Sequence, residues 1–174
     1  MHSAEIIREY LEKDNWKYEV EKENEDVVIF RLRVTINGKI SVCDIRIVCD
    51  ERFINSCANI SVFADEKCYA DVAEFITRVN YELATTSRFE MDFTDGEIRA
   101  CYLVDCRGKM QFTEEVVKGI IYSPLYMFDS YGDALLEVLF GYVTPEDAVN
   151  RLIEQLEEDA VDEIIDTEDG FKPM

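Results

Sequence analysis

Histidine is nearly absent from this chain, whose only one is His2 at the N-terminal end. With no histidine beyond it, the sequence excludes a Ser-His-Asp triad and a Cys-His pair. The sequence also contains no G-x-S-x-G elbow, no phosphate-binding loop and no G-x-G-x-x-G turn. We therefore expect no catalytic residues, no cofactor and a protein that is not an enzyme.

Basic residues are scarce: 18 lysines and arginines stand against 38 aspartates and glutamates, which gives a net charge of -20. Residues 145–174 carry -9 of this charge, with eleven acidic and two basic side chains. Such a field repels phosphate backbones and anionic lipid surfaces, because affinity for nucleic acids comes largely from Lys and Arg. We expect neither a nucleic-acid partner nor a membrane partner.

Long apolar runs are also missing. The longest apolar region, residues 116–143, is interrupted by four charged side chains and is not a bilayer span. The first ten residues include Glu5, Arg8 and Glu9 and lack the apolar core of a signal peptide. We therefore expect a cytoplasmic protein.

Cysteines are present, but without the spacing of a metal site. None of the six forms a C-x-x-C motif; they are Cys43, Cys49, Cys57, Cys68, Cys101 and Cys106. Zinc sites normally use paired Cys or His at short spacing, so we predict no metal site. In a reducing cytosol these thiols would act as small apolar side chains, with a redox role or a metal site built from distant strands as the open alternative.

Alternating apolar and polar residues predict a first hairpin around the dipeptide Asn37-Gly38, which favours a two-residue type I′ turn. This hairpin would join strands over residues 27–36 and 40–49. Counting back from the turn places Arg31 opposite Asp44 on one face, with aliphatic pairs on the other.

A second hairpin is predicted around Asp95-Gly96 by the same pattern. Its register would place Phe89 opposite Tyr102 on the apolar face. It would also set Asp92 opposite Arg99, an opposite-charge pair, on the polar face.

The remaining pattern favours an N-terminal helix, strands near residues 16–20 and 59–63, and a helix after Asp65. Thr113, followed by two acids, predicts the start of a long helix whose apolar phase continues through Pro124. Proline removes one backbone hydrogen bond, so we expect either a kink or two abutting helices there.

Antiparallel hairpins with segregated helices indicate an α+β fold, with an antiparallel sheet of about five to six strands flanked by helices. We assign residues 1–144 to this domain. An acidic amphipathic helix follows over residues 145–166, packed on the domain or extending it, and residues 167–174 are predicted to be disordered.

The outer face of the first hairpin is half apolar, which suggests that a helix of this chain or another subunit covers it. The residues predicted to form this interface are Ile29, Arg31, Val42, Asp44 and Arg46.

The long helix offers a second candidate surface, a groove lined by Tyr122, Tyr126 and Tyr131. Tyrosine supplies an apolar body and a polar tip, as many ligand pockets do, whereas the alternative is a core or dimer face. Asn80, near the end of the middle helix, is expected to satisfy nearby backbone groups rather than to bind a partner.

One part of the chain carries a family resemblance, through the segments Val79-Asn80, Arg88-Phe89-Glu90-Met91-Asp92 and Asp95-Gly96-Glu97-Ile98-Arg99. In these residues the chain resembles the YbjN-domain family, whose members are also called bacterial sensory transduction regulators. The likeness is most specific over residues 72–105 and extends by element order over 3–142. Pro124 and the acidic helix from Pro145 depart from the family pattern.

The resemblance implies a bacterial cytosolic protein with the α+β fold of type III secretion chaperones, usually as a homodimer. The family has no established catalytic residues to carry over. Our first hypothesis is a non-enzymatic homodimeric module, adaptor-like, regulatory or chaperone-like, that binds an unidentified protein partner. The alternative is a small-molecule sensor with a pocket between the sheet and the kinked aromatic helix.

Overall fold

The computed structural model describes residues 2–108 and 111–168. Its α-helices are α1 (His2–Lys13), α2 (Tyr69–Glu82), α3 (Glu114–Leu139) and α4 (Pro145–Glu168), with a short 3-10 helix at Glu66–Cys68. Its strands are β1 (Tyr18–Glu23), β2 (Val28–Thr35), β3 (Val42–Cys49), β4 (Phe53–Asn59), β5 (Arg88–Met91) and β6 (Ile98–Asp105).

The six strands form one antiparallel sheet in the order β1-β2-β3-β4-β6-β5. Neighbouring strands in the sheet are also consecutive in the sequence, with one exception. β4 pairs with β6, although α2 and β5 lie between them in the chain. This arrangement confirms the predicted α+β fold with an antiparallel sheet.

The sheet has an inner face that is buried under the helices. Cross-strand pairs on this face include Phe30 with Ile47 and Leu32 with Ile45, all inaccessible or nearly so. Helix α3 lies against β4 and β6, and its Phe128 meets Phe89 of β5 edge to face, with ring centroids 5.1 Å apart. Burial of these apolar side chains is the main stabilising contribution to the fold.

The first hairpin has a longer loop than the predicted two-residue turn, so its predicted register was wrong. Leu32 lies opposite Ile45 and Arg33 opposite Asp44, a shift of two residues that keeps every side chain on its predicted face. The cause lies in α3: Asp129 accepts the Asn37 backbone N–H at 2.8 Å, and Asp133 accepts that of Lys39 at 2.7 Å.

The second hairpin shows the opposite shift. Glu90, rather than Asp92, lies opposite Arg99, and Phe89 lies opposite Ala100. Asp92 instead closes the loop, since its carbonyl accepts the Gly96 N–H at 2.8 Å and its carboxylate accepts the Thr94 N–H at 2.7 Å. The Gly-containing turn is therefore present, but inside a four-residue loop.

Two strand predictions were displaced along the chain. β1 begins two residues later than the predicted strand at 16–20, and β4 lies at Phe53–Asn59 instead of 59–63. The Asp50 carboxylate accepts the backbone N–H groups of Arg52 and Phe53, which turns the chain directly from β3 into β4.

Helix α3 runs without interruption through Pro124, so the alternative of two abutting helices was wrong. The predicted N-cap is confirmed, because the Thr113 hydroxyl accepts the Val116 N–H at 3.4 Å. None of the described helices combines the length and apolar character needed to cross a membrane.

Helix α4 packs against α2 and α3 through its N-terminal part, where Ala148 and Val149 are fully buried. Residues 167 and 168 belong to this helix, whereas the predicted disorder of the remaining tail lies outside the described residues.

Candidate binding face of the sheet

The outer face of the sheet points away from the buried helices and carries cross-strand rows of side chains. Its middle row takes one residue from each of the six strands: Glu19, Arg31, Arg46, Cys57, Cys101 and Arg88. A neighbouring row joins Arg33, Asp44, Asn59, Arg99 and Glu90. Polar and charged residues thus dominate this face, and most of them are exposed.

A concavity of about 780 Å³ lies on the β1–β3 side of this outer face. Four cationic side chains line it, Lys17, Arg31, Arg33 and Arg46, together with the acidic residues Glu19 and Asp44. In a chain with a net charge of -20, this is a local excess of positive charge. Guanidinium groups present forked donors that match carboxylates.

The Glu21 side chain holds two of the arginines at this concavity. The Glu21 carboxylate accepts hydrogen bonds from Arg31 Nε at 2.6 Å and from Arg46 Nε at 3.0 Å. The hydrogen bond from Arg46 and, next, that from Arg31 hold the pKa of Glu21 below its usual value. A β-bulge between Val20 and Lys22 places Glu21 there. Because one carboxylate serves two guanidinium groups, the pairing leaves net positive charge.

The structure brings three of the five predicted interface residues together at the concavity: Arg31, Asp44 and Arg46. Val42 lies on the same face of β3, two residues before Asp44, but it is half-buried and does not line the concavity. Ile29 is only 5% exposed, so it does not offer a surface to a partner. Its cross-strand neighbours on the outer face are Lys22 and Val48.

The three tyrosines predicted to line a groove differ in burial, although the rings of Tyr126 and Tyr131 meet edge to face with centroids 6.2 Å apart. Tyr131 is only 4% exposed and belongs to the core, whereas Tyr122 and Tyr126 are exposed. Tyr122 packs against Trp16, with ring centroids 5.8 Å apart. The structure thus brings Tyr126 and Tyr131 together, and the small-molecule sensor stays a prediction from the sequence.

A disulfide joins Cys57 and Cys101 in the middle row, which corrects the expectation that all six cysteines are reduced apolar side chains. The other four are free, and burial raises the pKa of Cys43 and of Cys49 to about 12. The pairing was missed because β4 had been predicted beyond Cys57. Among the described residues, no group of three or more His, Cys, Asp or Glu side chains is placed to hold a metal.

Asn80 has the structural role that its sequence position predicted. Its Nδ2 donates to the Phe89 carbonyl at 2.9 Å, and its Oδ1 accepts the Phe89 N–H at 2.9 Å. Because β5 is an edge strand, this side chain replaces the missing neighbouring strand at one residue.

Replacing Asn80 by leucine is expected to lower the free energy of unfolding by about 2–3 kcal/mol, because two hydrogen bonds are lost and two partly buried backbone groups remain unpaired. Urea unfolding measures the change. Asn150→Leu, at an exposed position on α4, is the matched control and should change stability by about 0.5 kcal/mol or less. Equal effects of the two substitutions would contradict the assigned role.

Comparison with family models, with curated proteins and with solved structures yields no match for this chain. The resemblance to the YbjN-domain family therefore remains a prediction from the sequence.

Proposed function

We propose that this protein is a non-enzymatic, homodimeric binding module whose outer sheet face docks an acidic segment of a partner protein. The observation that carries the proposal is the concentration of Lys17, Arg31, Arg33 and Arg46 around one concavity in an otherwise strongly acidic chain.

Charge complementarity favours an acidic protein segment as the occupant. Carboxylates fit the forked donors of Arg31 and Arg33, both of which are exposed. The Asp44 carboxylate is 3.8 Å from Arg33 Nε, a weaker pairing than those made by Glu21. A partner carboxylate can therefore compete for Arg33 at low cost, since exposed ion pairs contribute little.

The negative charge on the rest of the chain does not prevent an acidic segment from docking at the concavity. Charges separated by more than about 8 Å in solvent are largely screened at physiological ionic strength. Within that range the four cationic side chains outnumber the three carboxylates at the concavity, which belong to Glu19, Glu21 and Asp44. A nucleic acid is a poorer fit, because a long phosphate backbone would extend into the acidic surroundings.

The homodimer in this proposal is supported by the family resemblance and by an apolar residue on the same outer face. Leu103 is 65% exposed. It belongs to a cross-strand row with Val48 and Asn55, which lies next to the middle row of the outer face. Interface cores are enriched in apolar side chains, so a homodimer contact across this face would bury Leu103.

Fluorescence anisotropy with a labelled polyglutamate peptide tests the docking site. The double variant Arg31→Ala/Arg33→Ala is expected to bind the peptide about tenfold or more weakly than the wild type. The matched control is Lys67→Ala/Arg78→Ala, which removes the same charge from residues that pair with Asp65 and Glu74 elsewhere.

Equal weakening in both double variants would mean that binding follows net charge alone, and it would overturn the proposed site. No binding to the wild type at physiological ionic strength would overturn it as well. Light scattering on the same samples gives the assembly mass, and the mass of one chain at all concentrations would exclude the homodimer.

A further inference from the structure

We propose that Cys57 and Cys101 form a reversible thiol–disulfide site on the outer face of the sheet, which exchanges with small-molecule thiols and disulfides. This inference goes beyond the docking function and does not depend on it. Three observations support it: the cross-strand placement of the two residues, their surroundings, and the contrast with the other cysteines.

The two cysteines are held as a pair by the sheet itself. They lie directly opposite each other on β4 and β6, within an unbroken register of seven residue pairs. Their Cα atoms are 4.2 Å apart, close to the spacing of the nearer kind of antiparallel pair. Backbone hydrogen bonds keep this spacing whether or not the sulfur atoms are bonded. Formation and cleavage of the disulfide therefore require no rearrangement of the chain.

Both strands are secured on their other sides as well. β4 pairs with β3, and β6 pairs with β5, so neither strand is at an edge of the sheet. The hydrogen bonds to β3 and β5 thus hold the two strands in place independently of the disulfide. We expect the reduced protein to keep its fold.

The surroundings favour exchange at this pair. Cys101 is half-buried on the solvent-facing side, with exposed Arg88 directly opposite on β5, whereas Cys57 is only 9% exposed, so Cys101 carries the accessible sulfur. Arg46 lies directly opposite Cys57 on β3. Nearby cationic residues favour the thiolate, which is both the attacking species and the leaving group in exchange.

The other cysteines are in different environments. Cys43 and Cys49 are on the buried inner face, where burial disfavours their thiolates. Cys68 is buried at the end of the 3-10 helix, and burial also raises the pKa of Cys106. Cys106 is half-buried like Cys101 but is free, so disulfide exchange is expected only at the outer-face pair.

The exchange proceeds in two balanced steps. A small-molecule thiolate attacks Sγ of Cys101; the protein S–S bond breaks, and its electron pair leaves on Cys57 as a thiolate. A second small-molecule thiolate attacks the external sulfur of the mixed disulfide, which releases Cys101 as a thiolate. Overall the protein disulfide takes up two electrons and two protons, and two thiols become one disulfide. A small-molecule disulfide drives the reverse reaction.

Such chemistry is consistent with the predicted cytoplasmic location, because disulfides in reducing compartments are usually transient and catalytic or redox-sensing. A structural disulfide, by contrast, would resist the glutathione pool and would be typical of an oxidising compartment.

The test uses the native full-length protein in buffers of varied ratios of reduced to oxidised glutathione, followed by alkylation and peptide mass spectrometry. We expect Cys57 and Cys101 to change state together and reversibly, within minutes and with an unchanged circular dichroism spectrum. Cys43 and Cys49 should remain unlabelled in the native protein. Cys106→Ser should exchange like the wild type, and Cys57→Ser should leave Cys101 as a single thiol that accepts glutathione.

Three results would overturn the proposal. The disulfide could resist glutathione until urea is added, which would identify a structural cross-link. Reduction could abolish the native circular dichroism spectrum, which would show that the fold depends on the bond. The disulfide could also map to other cysteines.

Discussion

Replacing Phe128 by alanine is expected to lower the free energy of unfolding by about 3–5 kcal/mol. The ring is only 1% exposed and lies between α3 and the sheet, where it contacts Phe89 edge to face. Removing it takes away apolar burial and leaves a cavity that the surrounding helix and strands cannot fully close. The aromatic contact contributes about 0.5–1.5 kcal/mol beyond the buried area.

Urea denaturation followed by circular dichroism measures this loss. Tyr126→Ala is the matched control, since it removes an aromatic ring from the same helix at a position that is 54% exposed. It should cost about 1 kcal/mol or less. If Phe128→Ala fails to fold, Phe128→Leu keeps the test available, with an expected cost of about 1.5 kcal/mol. A smaller cost for Phe128→Ala than for Tyr126→Ala would contradict the assigned packing.

The helices could be predicted because their signals are local. The apolar phase of α3 was recognisable from its spacing, and Val117, Ile121 and Phe128 on that phase are all buried. Thr113 caps the helix through a bond only three residues away. Pro124 did not break the helix, because tertiary packing of a long apolar face outweighs one missing hydrogen bond.

The hairpin registers could not be predicted because distant contacts decide them. Asn37-Gly38 favours a tight turn in isolation, but the loop bonds to Asp129 and Asp133, more than 90 residues away. Asp95-Gly96 likewise lies in a loop whose Gly96 carbonyl accepts a hydrogen bond from the Ala64 N–H. Rules for turn types describe neighbouring residues and contain no information on such partners.

The candidate site could be predicted only in part, because some of its contacts also join segments that are distant in the sequence. A register shift of two residues preserves the side-chain face, so Arg31, Asp44 and Arg46 remained on one surface. Glu21 was missed because a bulge brings it to the arginines, and bulges have no strong sequence signal. The partnership of Cys57 with Cys101 depends on the β4–β6 contact, which joins segments 44 residues apart.

Replacing Gly96 by alanine is expected to lower the free energy of unfolding by about 3 kcal/mol. Gly96 has a φ of +79°, a conformation that is strained for alanine. A Cβ there would also overlap the Ala64 carbonyl oxygen and lie 3.0 Å from the Ala64 carbonyl carbon. Backbone atoms cannot rotate aside, so the loop must move and break the 2.9 Å bond between the Ala64 N–H and the Gly96 carbonyl.

Gly141→Ala separates these two causes. Gly141 has a similar φ of +72°, but a Cβ there meets nothing within 4 Å. This substitution should therefore cost only the backbone strain, about 1 kcal/mol. The difference between the two variants in urea unfolding measures the contact between the hairpin loop and Ala64. Equal costs would mean that the loop moves freely, and that the contact does not fix the register of the second hairpin.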